Sequence, residues 1–113
     1  MNIPALQQEL RDFSAERGWG RNHNPKSLVM ALSVEVGELM EHFQWLTEEE
    51  SFQPTDREGV QEELADVMIY LLQLSDRLGI DVTEAVLKKI YLNSLKYPAA
   101  HDMSCLHLGD STD

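Results

Sequence analysis

The stretch TDREGVQEELADVMIYLLQLSDRLG, residues 55–79, carries the clearest helical pattern in the chain. Thr55 and Glu58 form a capping-box pattern at its start, and Gly79 is a favourable residue just past its end. Its apolar side chains recur at steps of four and three, which is the spacing of one helix face. They are Val60, Leu64, Val67, Leu71, Leu74 and Leu78. We therefore predict an amphipathic helix that buries this stripe.

Two further helices are predicted before this stretch. The first spans residues 4–16, and Gly18 and Gly20 bracket Trp19 in the loop that follows it. The second begins at Asn24-Pro25, an N-cap residue followed by a proline at the first helical position. We expect this second helix to continue to about Trp45.

A fourth helix is predicted after Gly79. It begins with a second capping box, Asp81 with Glu84, and ends before Pro98, because the residue ahead of a proline avoids helical angles. Short connections predict an all-α four-helix bundle with neighbouring helices antiparallel, in one domain covering residues 1–98. Residues 99–113 lack periodicity and are predicted to be a flexible C-terminal tail.

Composition narrows the classes of partner. Twenty acidic against nine basic side chains give a formal net charge of -11, which argues against binding a nucleic-acid polymer through a basic surface. The same acidity is also compatible with a role in solubility alone. No run approaches the roughly 20 apolar residues of a membrane span, and no signal-peptide pattern is visible. We expect no membrane association and a cytoplasmic location. The lone Cys105 is assigned no role.

The acidic residues of the second and third helices form the most informative pattern. Glu35 occupies a position in an otherwise apolar row of the second helix, and Glu38 lies one turn further on. Glu63 and Asp66 repeat this spacing on the third helix beside its apolar stripe. Two pairs of carboxylates can therefore face each other. Gly37, between the first pair, predicts a close approach of another backbone.

Four converging carboxylates require a counter-charge, because burying an unpaired charge costs several kcal/mol or more. Ligands that are all oxygen suit Mg²⁺, with Mn²⁺ as a substitute, whereas zinc favours His or Cys. The alternative is that each pair belongs to an ordinary solvated helix face. Glu35 within an apolar row favours the metal site.

Several short sequence motifs in the chain resemble those of one protein family. They are EVGEL at 35–39, FQW at 43–45, EELADV at 62–67 and NxxKYP at 93–98. Together they resemble the MazG-like all-alpha NTP pyrophosphatases. The motifs AERxW at 15–19, HxP at 23–25 and IYL at 69–71 are similar to motifs of the dCTP pyrophosphatase branch of that superfamily. The resemblance covers about residues 6–98.

The resemblance implies a fold, a reaction and an assembly. It implies magnesium-dependent hydrolysis of a (deoxy)nucleoside triphosphate to the monophosphate and diphosphate, with dCTP preferred, in a house-cleaning role. It also implies that Glu35, Glu38, Glu63 and Asp66 bind magnesium, and that homodimers pair into a homotetramer with active sites near the interfaces. Related enzymes of this fold act on dUTP, so a dUTPase-like or broad-specificity enzyme stays open.

One carboxylate is expected to accept a proton from the attacking water. The catalytic candidates are Glu38 and Glu41, which lie one turn apart on the second helix. For Glu41, a plain surface position is the simpler interpretation.

Further residues are candidates for substrate binding. Trp19 and Trp45 can stack on a nucleobase, although packing alone explains them by spacing. His23 and Tyr70 are solvated or packed by default, and the resemblance favours substrate contact for both. Lys26, Lys89 and Lys96 are scarce cations in an acidic chain, and the resemblance adds Asn93 to this phosphate-side cluster.

A non-enzymatic hypothesis also accounts for an acidic helical chain. It treats the protein as an acidic helical interaction module, whose carboxylates decorate exposed faces and whose apolar stripes form an oligomer. Glu35 within the apolar row argues against it.

Overall fold

A computed structural model of the chain describes residues 1–20 and 23–99. These residues form four α-helices and a short 3-10 helix, with no strand among them. The α-helices are α1 (Ile3–Glu16), α2 (Pro25–Glu41), α3 (Arg57–Leu78) and α4 (Val82–Lys96), and the 3-10 helix is Glu50–Phe52. The all-α class is thereby confirmed. From residue 100 onward the predicted tail, with Cys105, lies outside the described residues.

The chain divides by its internal contacts into two compact units, Met1–Asp81 and Val82–Asp113. The first contains α1, α2 and α3, and the second contains α4. A single domain over residues 1–98 stays a prediction. No helix among the described residues is both long and apolar enough to cross a membrane.

Local side-chain chemistry sets the helix ends. The side chain of Asn2 accepts a hydrogen bond of 3.0 Å from the Ala5 amide, so α1 begins one residue earlier than predicted. Asn24 caps α2 in the same way ahead of Pro25, as predicted. Gly79 ends α3 in the left-handed conformation, with φ 68°, which confirms its predicted role.

Two predicted helix ends are wrong by a few residues. The N-cap of α3 is Asp56 rather than Thr55, and its Oδ1 accepts from the Gly59 amide at 2.9 Å. Helix α2 ends at Glu41 rather than near Trp45, because the chain tightens into three-residue turns. The amide of Phe43, for example, donates to the Met40 carbonyl at 2.9 Å.

Helix α3 packs against both α2 and α1. Against α2 it runs antiparallel, because His42 at the end of α2 lies beside Gly59 at the start of α3. A Cβ on Gly59 would lie 2.8 Å from the His42 ring, so the two helices approach closely there. Against α1 it runs parallel, because Gln7 bonds the Leu72 carbonyl and Arg11 bonds Asp76.

The packed face of α3 differs from the predicted stripe. The buried hydrophobic side chains of the described residues are Leu28, 1% exposed, and Leu72, 4% exposed. Leu64 and Leu71, which we expected to be buried, stay exposed, as does Leu78. Leu72, the buried hydrophobic side chain of α3, lies one position and about 100° around the helix from Leu71, so the buried side of α3 is rotated away from the predicted stripe.

Candidate metal centre

Three of the predicted metal ligands lie together between α2 and α3. Glu35, Glu63 and Asp66 each offer a carboxylate oxygen, and these oxygens lie within 4.8 Å of one another. All three residues are partly buried. The antiparallel packing of α2 on α3 places Glu35 opposite the Glu63–Asp66 turn. The spacing of the acidic residues predicts that two pairs of carboxylates converge, and three of those four do so.

An unpartnered oxygen marks this cluster as incomplete. The Oε1 atom of Glu63 is buried and has no hydrogen-bond partner among the described residues. Leaving a buried polar atom unsatisfied costs about 1–3 kcal/mol, and more for a charged group. A cation beside Glu63 would remove this cost. The cluster offers only oxygen ligands, which suits a hard divalent cation.

The electrostatics of the cluster act most strongly on Glu35. Burial raises the pKa of the Glu35 carboxyl, because the charged form loses its hydration. A hydrogen bond with Glu63 and the negative charges of Asp66 and Glu63 raise this pKa further. Without a cation, the folded chain therefore holds a proton on Glu35 more tightly than an ordinary glutamate does.

The two candidate bases differ in their surroundings. Glu38 is partly buried on α2, but it does not join the three converging carboxylates of the described structure. Three helical residues turn the side chain by about 300°, so Glu38 points away from the direction of Glu35 by about 60°. Glu41 is exposed and is the last residue of α2.

The expected close approach at Gly37 is not found, because a Cβ there meets nothing within 4 Å.

Two predicted substrate residues come together in the loop after α1. The rings of Trp19 and His23 lie 6.4 Å apart, centroid to centroid. Trp19 also packs edge-on against Phe13 at 5.6 Å, and His23 Nδ1 lies 3.4 Å from Ser14 Oγ. Arg77 of α3 donates a 2.7 Å hydrogen bond to the Gly20 carbonyl in the same loop.

The other substrate candidates lie on separate elements. Trp45, after α2, is 85% exposed. Tyr70 is partly buried on α3, one turn beyond Asp66, and Lys26 is exposed in the first turn of α2. In the second unit, Lys89, Asn93 and Lys96 follow one another at steps of four and three and share a face of α4. The Nζ of Lys96 lies 5.4 Å from the Tyr97 ring centroid.

Sequence reasoning missed an ion pair between α1 and α3. Arg11 Nη1 lies 2.7 Å from each carboxylate oxygen of Asp76. The two residues are 65 positions apart, and each is an ordinary polar residue within its own helix. No local pattern could therefore have predicted this contact.

Comparison with known proteins identifies relatives over most of the chain. The MazG-like family matches residues 30–106. Human dCTP pyrophosphatase 1 is 47% identical over an alignment of 92 residues, and the match covers 78% of this chain and 54% of the human protein. The rat dCTP pyrophosphatase 1 is 45% identical over 91 residues, with 77% and 54% covered. The chain thus spans about half the length of these relatives.

A solved structure has the same fold. The crystal structure of a pyrophosphatase from Archaeoglobus fulgidus superposes with a TM-score of 0.82 and shares 43% sequence identity. The match covers 88% of this chain and 94% of the archaeal chain. The all-α architecture is therefore that of a known pyrophosphatase structure.

Proposed function

The chain belongs to the MazG-like family, and on this basis we propose that it is a metal-dependent nucleoside triphosphate pyrophosphohydrolase. The proposed reaction converts a (deoxy)nucleoside triphosphate and water into the monophosphate and diphosphate. The observation that carries the proposal is the cluster of Glu35, Glu63 and Asp66, in which a buried Glu63 oxygen has no hydrogen-bond partner in the described part of the chain.

The proposed cofactor is Mg²⁺, with Mn²⁺ as a substitute. The support is the chemistry of the donors, since the converging atoms are all carboxylate oxygens. Glu35, Glu63 and Asp66 would hold the ion, with Glu38, one turn along α2, as the fourth proposed ligand. Bound magnesium would neutralise phosphate charge and orient the phosphates for displacement.

The chain itself would supply the proton acceptor for the attacking water. Glu38 is the better candidate, because it is partly buried on the same helix as Glu35, whereas Glu41 is exposed at the helix end. General-base catalysis contributes about 10²–10⁴-fold in rate. We therefore expect Glu38→Gln to reduce turnover far more than Glu41→Gln.

The proposed substrate is dCTP, in a role that clears the nucleotide pool. Support comes from the human and rat relatives, which are named dCTP pyrophosphatase 1. The proposed contacts to base and sugar are Trp19 and His23, which adjoin each other, with Trp45 and Tyr70. The proposed phosphate contacts are Lys26, Lys89, Asn93 and Lys96. Preference for dUTP, or activity on many nucleotides, is the alternative.

We propose further that the chain assembles as a homodimer or homotetramer. Support comes from α2, where Met30, Val34 and Met40 are each about three-fifths exposed. Monomeric proteins rarely leave large contiguous apolar patches uncovered.

The proposed location is the cytoplasm, where the substrate is a free nucleotide rather than a nucleic-acid polymer or a membrane component.

The test of the metal site compares two neighbouring glutamates. Glu63→Gln removes a proposed ligand charge, whereas Glu62→Gln changes an exposed residue on the same helix. We expect Glu63→Gln to lower kcat/KM for dCTP by about a hundredfold or more, as loss of a metal ligand does. Added magnesium should raise the Tm of the unmodified chain and should leave the Tm of Glu63→Gln unchanged. Glu62→Gln should retain both properties, and an unaffected Glu63→Gln would contradict the proposal.

A further inference from the structure

A second concave site lies between α1 and α3. It is a cleft of about 420 Å³, within the usual size range of small-molecule pockets. Gln7, Arg11 and Ser14 of α1 line one wall, and Gln73, Asp76 and Arg77 of α3 line the other. His23, already a candidate for substrate contact, also lines it. None of the three clustered carboxylates contributes to its walls.

Two of the α3 residues that line the cleft, Gln73 and Arg77, lie on the same face of α3 as Asp66. Asp66, Tyr70, Gln73 and Arg77 follow one another at steps of four, three and four residues, which keeps them on one side of the helix. The rise of an α-helix places Gln73 about 10 Å from Asp66 along the axis. Asp76 lies ten residues beyond Asp66, about 15 Å along the axis and about 80° around the helix. A nucleotide whose phosphates reach the carboxylate cluster would extend past Tyr70 and turn toward α1 to place its base beside Asp76.

The α3 wall presents a fixed hydrogen-bond acceptor beside a donor. Both oxygens of Asp76 accept from Arg11 Nη1 at 2.7 Å, and Arg11 Nη2 donates to Gln8 at 2.7 Å. The Asp76 side chain keeps 25% of its surface exposed, and an ionised carboxylate has about four acceptor positions, so it can accept further bonds. Arg77, the next residue, offers donors only.

This acceptor and donor match the edge of one pyrimidine. Cytosine presents its amino group as a donor next to acceptor atoms, whereas uracil and thymine place a carbonyl oxygen at the amino position. A carboxylate facing that oxygen is repelled. We propose that Asp76 is a selectivity residue that accepts a hydrogen bond from the exocyclic amino group of cytosine bound in the α1–α3 cleft. The proposal rests on the proposed pyrophosphohydrolase function.

The first test measures selectivity in turnover. The full chain, Asp76→Asn and the control Asp12→Asn are compared for kcat/KM on dCTP and on dUTP with magnesium. Asp12 is an exposed residue of α1 that accepts from Gln8, so it matches the chemical change outside the cleft. We expect Asp76→Asn to reduce the dCTP-to-dUTP ratio about tenfold or more, because an amide can donate to the uracil carbonyl. Asp12→Asn should leave the ratio unchanged.

Asp76→Glu is a second variant, which keeps the test decisive if Asp76→Asn does not fold. Asp76→Glu keeps the charge available to Arg11 but displaces the carboxylate by one methylene group, so it should also reduce the ratio. Circular dichroism melts identify any variant that is unfolded. If every folded Asp76 variant keeps the wild-type ratio within about twofold, a change too small for a lost base-edge hydrogen bond, the proposal is overturned.

Calorimetric binding of dCMP and dUMP separates this proposal from the proposed reaction. Neither ligand is a triphosphate, so binding reports the cleft even if no turnover occurs. A preference for dCMP that disappears in Asp76→Asn supports the selectivity role, with or without hydrolysis. Turnover of dCTP combined with an unchanged preference in Asp76→Asn overturns the selectivity role and leaves the reaction standing. No turnover and no preference overturns both.

Discussion

Glu35 lies where an apolar side chain would be expected, between Leu32 and Leu39 on α2. That position predicted a metal ligand, and the structure places its carboxylate with Glu63 and Asp66. The spacing could not predict that Glu35 joins the cluster without Glu38. Glu38 has the same sequence relation to Glu35 as Asp66 has to Glu63, yet only one pair contributes both members, because helix rotation against a neighbour is a tertiary property.

Without magnesium, the raised pKa of Glu35 predicts how stability depends on pH. A carboxyl with a raised folded pKa stabilises the fold below the unfolded pKa, about 4.3 for glutamate, and this contribution is lost as pH rises through the folded pKa. Glu35→Gln removes this titration. We therefore expect the variant, measured in EDTA, to gain stability relative to wild type as the pH rises above about 4.3.

The control for this measurement is Glu41→Gln, an exposed change on the same helix. Its difference in Tm from wild type should not vary over the same pH range. If the difference between Glu35→Gln and wild type is equally constant in thermal melts, then burial and the neighbouring carboxylates do not act on Glu35 as described.

At the scale of elements, helix existence was predictable and helix ends were less so. Asn24-Pro25 and Gly79 were placed correctly, because each local conformation needs that residue type. The start of α3 was ambiguous, since both Thr55 and Asp56 can cap. Gly59 leaves room for the Asp56 cap, because a Cβ there would clash with the Asp56 carboxylate and with the His42 ring. The position of His42 follows from packing of α2 on α3, which no local pattern contains.

The two candidate N-caps of α3, Thr55 and Asp56, can be distinguished by removing each side chain and measuring the free energy of unfolding. Asp56→Ala removes the acceptor for the Gly59 amide and should lower the free energy of unfolding by about 1 kcal/mol, the usual value of an N-cap. Thr55→Ala should change it by less than about 0.5 kcal/mol, as for a surface residue. Urea denaturation of both variants decides between the caps, and a larger loss for Thr55→Ala would restore the capping box predicted from sequence.

The connection between α2 and α3 contains an element that could have been predicted. Thr47 and Glu50 cap each other reciprocally, with the Thr47 amide donating to Glu50 Oε1 at 2.9 Å and the Glu50 amide donating to Thr47 Oγ1 at 3.1 Å. The pattern is that of a capping box, here before the 3-10 helix Glu50–Phe52. The signal lies in the sequence, but no apolar periodicity follows it.

At the scale of the whole molecule, the exposed apolar side chains of α2 and α3 depart from expectation. A helix stripe predicts burial but does not say whether the same chain or a second copy covers it. Leu64 is half exposed within the chain, and Val34 and Met40 are more so. Sequence periodicity could therefore predict the apolar faces but not their partners.

The proposed assembly predicts the mass in solution. Size-exclusion chromatography with light scattering, at micromolar protein, should give two or four times the chain mass of 12.9 kDa. The reason is that the exposed apolar faces of α2 and α3 gain about 25 cal/mol for each Å² removed from water. Val34→Glu places a charge on that surface and should reduce the mass, whereas Glu41→Gln should not. A monomer for the unmodified chain would contradict this proposal.

The most direct test of the central claim is release of diphosphate from each common dNTP and NTP by the purified chain, with magnesium and then with EDTA. We predict magnesium-dependent release that is fastest with dCTP and absent in EDTA. Equal rates on many nucleotides would retain the reaction and replace the substrate preference. Absence of release from every triphosphate in magnesium would contradict the account and favour an acidic helical interaction module.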